Sequence, residues 1–156
     1  MYSNGLENGR ISASNRWYVI NNVDIIDTYF EPFDDMKCSE PLHSHMVETE
    51  GVEFLQFAFR WMNCLLMREL PLPIVVRLWD TYLSEESGFE KFHIYVCAEL
   101  LKMFGITLQE MAFQDILLFL QHLPTQNWTG YDVEDLLARA FVLKTLFGDT
   151  PHHLQG

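Results

Sequence analysis

Charged side chains set among large apolar ones either do chemistry or lock a fold together. The stretch FRWMNCLLMRELPLPIVVRLWDTYLSEE, from Phe59 to Glu86, holds an unusual number of them. Arg60-Trp61, Arg68-Glu69 and Trp79-Asp80 stand in a region otherwise suited to a hydrophobic core. Two readings are open: a catalytic site, or a polar clasp between packed helices. A partly buried arginine needs a carboxylate to satisfy its donors, and Asp80 and Glu69 are the available partners. Arg68 and Glu69 fall where a helix would end. Arg68 suits the free carbonyls there, whereas Glu69 opposes them unless a cation from another element reaches it.

The other candidates are weaker. His93 and Cys97 are spaced i, i+4 and share a helix face, a spacing that can hold two metal ligands. A structural zinc needs about four, and no further Cys/His pair stands nearby, so a core cysteine beside a histidine is the expected arrangement. His43-x-His45 and His152-His153 fall in expected loops. The carboxylate pairs Asp34-Asp35 and Glu85-Glu86 lie in polar segments and read as solvated. There is no glycine-rich phosphate loop, no GxSxG and no HExxH. These residues alone imply no catalytic group, no cofactor and no metal.

The elements that must position the charged residues are helical. From Val52 to Leu70 the polar residues Glu53, Gln56, Arg60 and Asn63 recur at steps of three and four. They leave one narrow stripe on a helix that is otherwise apolar, which places it at the centre of a domain. Pro71 and Pro73 break it, and Pro73 suits the first turn of a second helix through Leu83. A third is expected over Phe89–Phe104, with Gly105 as its left-handed stop. Thr107 and Glu110 have capping-box spacing for a fourth, to Leu123, and a fifth runs from Asp132 to Phe147. Upstream, residues 1–16 read as a loose lead-in, Trp17–Phe30 has a helical rhythm, residues 31–41 read as an acidic loop, and residues 42–51 suit a short helix closed by Gly51. The expected fold is an all-α bundle or array of about five to seven helices. The expected organisation is a lead-in over 1–50, a helical subdomain over 51–150 and a tail over 151–156.

The chain has 156 residues, 49% of them hydrophobic, and a net charge of -12. Residues 1–50 hold 3 basic and 9 acidic residues and the remainder 7 and 13, so each part carries -6. With no basic face to meet phosphates, nucleic acid is disfavoured as a partner, as is docking on anionic lipid. No stretch is long and apolar enough to insert in a membrane. Three scattered cysteines and no signal peptide at the N-terminus suggest reduced thiols in the cytosol.

The stretch from Phe59 to Glu86 resembles the C-terminal signature of the TBC domain, the helical module of Rab GTPase-activating proteins. That family shows an Arg-Trp, an Arg-Glu followed by an apolar residue, and a Leu-Trp-Asp, matched here by Arg60-Trp61, Arg68-Glu69-Leu70 and Leu78-Trp79-Asp80. The similarity continues through GFEKFHIYVCAELL, DILLFLQHLPTQNW and DVEDLLARAFVL, and is strong over residues 51–150. It is nearest the Golgi-associated branch of yeast Ypt-directed activators and their animal counterparts. RWYVINNVDIIDTYF, residues 16–30, is similar to the segment just C-terminal to the family's catalytic motifs. Its connection to Val52 is short for this branch.

The resemblance implies a GTP-bound Rab-family small GTPase as partner, and cytoplasmic residence, peripheral at Golgi membranes. The family acts through an Ile-x-x-Asp-x-x-Arg and a Tyr-x-Gln motif. The arginine offsets charge on the transferring phosphoryl group and the glutamine positions the attacking water. Neither motif occurs in this chain. It therefore looks like the C-terminal half of a TBC domain, expected to be inactive alone, and a non-catalytic helical interaction module is the alternative. The signature residues Arg60, Trp61, Arg68, Glu69, Trp79 and Asp80 are expected to be structural. The clasp is expected to join Arg60 to Asp80 across antiparallel helices, or Glu69 to Arg77 across the proline turn. Exposed apolar surface is expected to drive dimerisation of the chain alone.

Overall fold

The computed structural model describes residues 6–7, 10–11, 40–53 and 55–147. The chain divides into two compact units, Met1–Met36 and Lys37–Gly156. In the first, β1 (Leu6–Glu7) pairs antiparallel with β2 (Arg10–Ile11), Leu6 facing Ile11 and Glu7 facing Arg10. This corrects the loose lead-in. The Asn8-Gly9 dipeptide between the strands is a strong short-range hairpin signal. The helical rhythm of Trp17–Phe30 and most of the acidic loop lie outside the described residues.

The second unit is all-helical, with seven α-helices among the described residues: α1 (Glu40–His43), α2 (Leu55–Asn63), α3 (Leu72–Ser84), α4 (His93–Met103), α5 (Gly105–Gln109), α6 (Phe113–Gln121) and α7 (Gly130–Phe147). A π-helical turn, Ser44–Thr49, extends α1, and another, Gly88–Phe92, leads into α4. Gly51 closes the first of these at φ +69, as expected from its lack of a Cβ. Pro71 caps α3 and Pro73 sits in its first turn, also as expected.

The centre of the unit is α4, not the segment Val52–Leu70. Every residue of α4 from Val96 to Leu101 is buried, as are His93 and Ile94, and α4 packs chiefly against α7. By contrast α2 exposes Gln56, Phe59 and Asn63. The expected helix through Leu70 ends at Asn63, because Leu65 and Leu66 adopt left-handed φ of 50 and 62. Each such residue costs roughly 1 kcal/mol or more. Complete burial of the Leu66 side chain offsets that cost.

Two smaller expectations fail because contacts from distant elements outweigh the local signal. Gly105 is not a left-handed stop. It opens α5, and Leu42 packs 3.4 Å from where its Cβ would stand. The Thr107–Glu110 box does not form. Instead α6 begins at Phe113, whose N–H donates to Glu50 Oε2 at 2.8 Å. The cap that does form belongs to α7. The Thr129 N–H and Oγ1 donate to Asp132 Oδ2 at 2.6 and 2.9 Å, which holds the Asp132 carboxyl below its ordinary pKa.

Candidate functional site

The left-handed turn makes a contact that a continuous helix forbids. Nine residues of α-helix advance about 14 Å and end half a turn out of phase. Arg60 and Glu69 are nine apart, yet Arg60 Nε donates to Glu69 Oε1 at 2.6 Å. The turn folds Glu69 back over the end of α2. Trp79 of α3 holds the turn from the other side, donating through Nε1 to the Leu65 carbonyl at 3.0 Å. Thr125 Oγ1 donates to the Glu69 carbonyl at 2.5 Å, and Arg60 Nη2 donates to the Gln121 carbonyl at 2.9 Å. One arginine thus ties α2, the turn and the end of α6 together.

The pair is asymmetric in burial. The Glu69 side chain is 0% exposed and that of Arg60 27%. With one guanidinium nitrogen spent on Gln121, the second carboxylate oxygen, Oε2, is buried without a partner among the described residues, and so is Trp61 Nε1. Withdrawing a carboxylate fully from water costs much of what its ion pair returns. The clasp therefore specifies one arrangement of backbone more than it adds net stability.

Both partnerships expected from sequence are corrected. Asp80 is exposed on α3 and does not meet Arg60. Arg77 pairs with Glu134 of α7 at 2.7 Å, not with Glu69. The cause is the early end of α2. The antiparallel return that would bring Asp80 level with Arg60 assumed a helix running to Leu70. Arg68 is exposed and forms no ion pair among the described residues.

A second polar link lies deeper. His93 is 0% exposed and sits between three elements. Its Nε2 lies 3.1 Å from the Trp61 carbonyl and its Nδ1 2.7 Å from Tyr82 Oη. A carbonyl only accepts, so Nε2 carries the proton and Tyr82 donates to Nδ1. Desolvation lowers the imidazole pKa from 6.5 to about 4, against the raising effect of the Trp61 carbonyl. Burial raises the Tyr82 phenol, and burial followed by the Glu69 charge raises the Cys97 thiol. Cys97 Sγ lies 3.5 Å from Nε2. A thiol held this far from ionising is a poor nucleophile and ligand. His93 and Cys97 are thus brought together as a buried link. No group of three or more His, Cys, Asp or Glu positioned for a metal ion occurs among the described residues.

Sequence reasoning missed the partners that carry no motif: Tyr82, Thr125, Glu50 and Gly88. A Cβ on Gly88 would overlap the Tyr82 carbonyl where α3 meets the turn into α4, so only glycine fits. That close approach is tertiary and leaves no local trace. The arrangement as a whole pins helices. Arg60, the most central guanidinium of the stretch, is already engaged at two nitrogens.

The profile of the Rab-GTPase-TBC domain family matches residues 19–109. The GTPase-activating protein gyp1 of Schizosaccharomyces pombe is 51% identical over 121 residues, which cover 77% of this chain and 23% of that protein. The human TBC1 domain family member 22A is 45% identical over 157 residues, covering 92% of this chain and 30% of its own length. The crystal structure of the Ypt/Rab-GAP domain of Gyp1p superposes with a TM-score of 0.73 at 44% identity, over 81% of this chain and 38% of that one. The chain spans under a third of each of these two curated relatives. The profile spans Arg60, Trp61, Glu69, Trp79, Tyr82 and His93, and the chain belongs to the Rab-GTPase-TBC domain family.

Proposed function

We propose that this chain contributes the helical scaffold and part of the GTPase-contacting surface of a Rab GTPase-activating domain, and itself supplies neither of the residues that enter the nucleotide site. The observation that carries the reading is the likeness to the Gyp1p Rab-GAP domain, at 44% identity and a TM-score of 0.73. The absence of Ile-x-x-Asp-x-x-Arg and Tyr-x-Gln from the 156 residues supports its second half. In this reading Arg60, Trp61, Glu69 and Trp79 are structural, Arg68 and Asp80 are surface members of the same signature, and the partner is a GTP-bound Rab. Residence is cytoplasmic, peripheral at Golgi membranes. Among the described residues no helix is long and apolar enough to cross a membrane.

The test is single-turnover GTP hydrolysis over a panel of Rab proteins. An arginine finger contributes about three to five orders of magnitude in rate. The chain alone is expected to stimulate none of them by more than about tenfold. Fusion behind the segment of a Rab-GAP domain that carries both motifs is expected to restore stimulation. Strong stimulation by the chain alone would overturn the reading, as would an inactive fusion that still folds and binds Rab.

A further inference from the structure

The helix α3 is apolar on two sides. Ile74, Val75, Leu78 and Tyr82 face the core. On the opposite side Leu72 is 69% exposed, Val76 52% and Leu83 74%, with exposed Asp80 between the last two. The spacing of four, four and three places these four residues on one stripe about three turns long. Scattered exposed leucines need no explanation, but three aliphatic residues aligned on one helix form a seam. Asp80 is the signature residue that the clasp leaves unused. Its carboxylate makes no ion pair or side-chain hydrogen bond among the described residues, while its backbone carbonyl accepts from Ser84 Oγ at 2.9 Å.

The lone carboxylate decides what can cover the seam. A second copy packed antiparallel on α3 would bring each Asp80 against an aliphatic residue of its partner, since the stripe holds no cation. Two carboxylates would lose water with nothing in return. Each copy also carries a net charge of -12, which adds repulsion. A helix with a lysine or arginine between aliphatic residues meets both demands at once, covering Leu72, Val76 and Leu83 and neutralising Asp80.

We infer that the outer face of α3 is the seat of an amphipathic helix bearing one central basic side chain, supplied by the portion of a Rab-GAP domain that this chain does not match. The inference rests on the proposed function, and on the 62% of the solved Gyp1p chain that lies beyond the 38% covered here. Self-association of the isolated chain, where it occurs, uses another face.

The test uses two labelled, helix-stapled synthetic peptides with leucine at positions i, i+7 and i+11 and either lysine or glutamate at i+3, the antiparallel complement of the stripe. Binding to the full 156-residue chain is read by fluorescence anisotropy. The lysine peptide is expected to bind at least about tenfold more tightly than the glutamate peptide. Asp80→Lys is expected to reverse that order, and to melt like the parent by circular dichroism because Asp80 is exposed. Equal affinities, an order unchanged in Asp80→Lys, or saturable binding of neither peptide would overturn the inference. So would a dimer by light scattering that Val76→Lys dissolves, because that gives the seam to a second copy. None of these readouts involves GTP hydrolysis, so this inference and the proposed function fail separately.

Discussion

Two arginine–glutamate pairs in this molecule have nearly the same geometry and different surroundings. Arg60 Nε meets Glu69 Oε1 at 2.6 Å, and Arg77 Nε meets Glu134 Oε1 at 2.7 Å. The side chains of the first pair are 27% and 0% exposed, those of the second 43% and 55%. Distance therefore says little about what each contributes. In the first, the carboxylate has lost all contact with water and depends on its partner. In the second, either charge can return to solvent. The first also closes a turn that the chain would not otherwise adopt, whereas the second bridges two helices, α3 and α7, already held by their buried faces.

The largest contrast between the pairs is expected at Arg60. Arg60→Ala leaves Glu69 charged, buried and alone, and removes the donor to the Gln121 carbonyl. The expected loss is about 3–5 kcal/mol in chemical denaturation. Replacing both partners, Arg60→Met with Glu69→Leu, is expected to recover most of it, because the cost lies in the orphaned charge. A loss below about 1 kcal/mol for Arg60→Ala would erase the distinction between the two pairs.

The Tyr82–His93–Trp61 link sharpens the comparison by separating burial from charge. Here the buried polar group is neutral in the native state. Its pKa is about 4 folded against 6.5 ordinarily. Above pH 6.5 neither state binds the proton and stability is flat. Between pH 6.5 and 4 the unfolded chain binds it and the native chain does not, so stability falls as pH falls. Below pH 4 this contribution to the slope vanishes. The full loss is on the order of 3 kcal/mol. Urea midpoints from pH 7 to 4 should fall more steeply for the parent than for His93→Gln, which keeps hydrogen-bonding groups but does not titrate. Parallel profiles would show that His93 is not the acid-sensitive group.

Legibility in the sequence divides in the same way, between local and tertiary causes. The helical class, the proline in the first turn of α3 and the stop at Gly51 rest on backbone chemistry that each residue carries with it. That Arg60 would need a carboxylate was also readable, since the demand belongs to the guanidinium. Which carboxylate was not. The choice of Glu69 over Asp80 depends on Leu65 and Leu66 turning left-handed, and leucine has no local reason to do so. Burial of Leu66 and the Trp79 bond to the Leu65 carbonyl provide one, and both contacts come from distant elements. Gly105 and the Thr107–Glu110 spacing misled for the converse reason. Their local signals were genuine, but packing against Leu42 and the Glu50 cap at Phe113 outweighed them.

The smallest expected effect is at Arg77. Its guanidinium also donates through Nη1 to Thr81 Oγ1 at 2.5 Å, one turn along the same helix. That contact holds the side chain in a conformer able to reach Glu134, which reduces the entropy lost in forming the pair. Even so, both ends are close to half exposed, and an exposed pair is worth about 0.2–1 kcal/mol. Arg77→Ala is therefore expected to cost under about 1 kcal/mol. Because solvent screens this pair, its coupling to Glu134 should fade between about 0.1 and about 1 M salt, as the Debye length shrinks from about 10 to about 3 Å. The Arg60–Glu69 coupling should persist over the same range, since no salt reaches Glu69. Double-mutant cycles on both pairs at the two salt concentrations measure this directly. A coupling at Arg77–Glu134 above about 2 kcal/mol, or one indifferent to salt, would mean that exposure does not separate the pairs and that their shared geometry sets the energy after all.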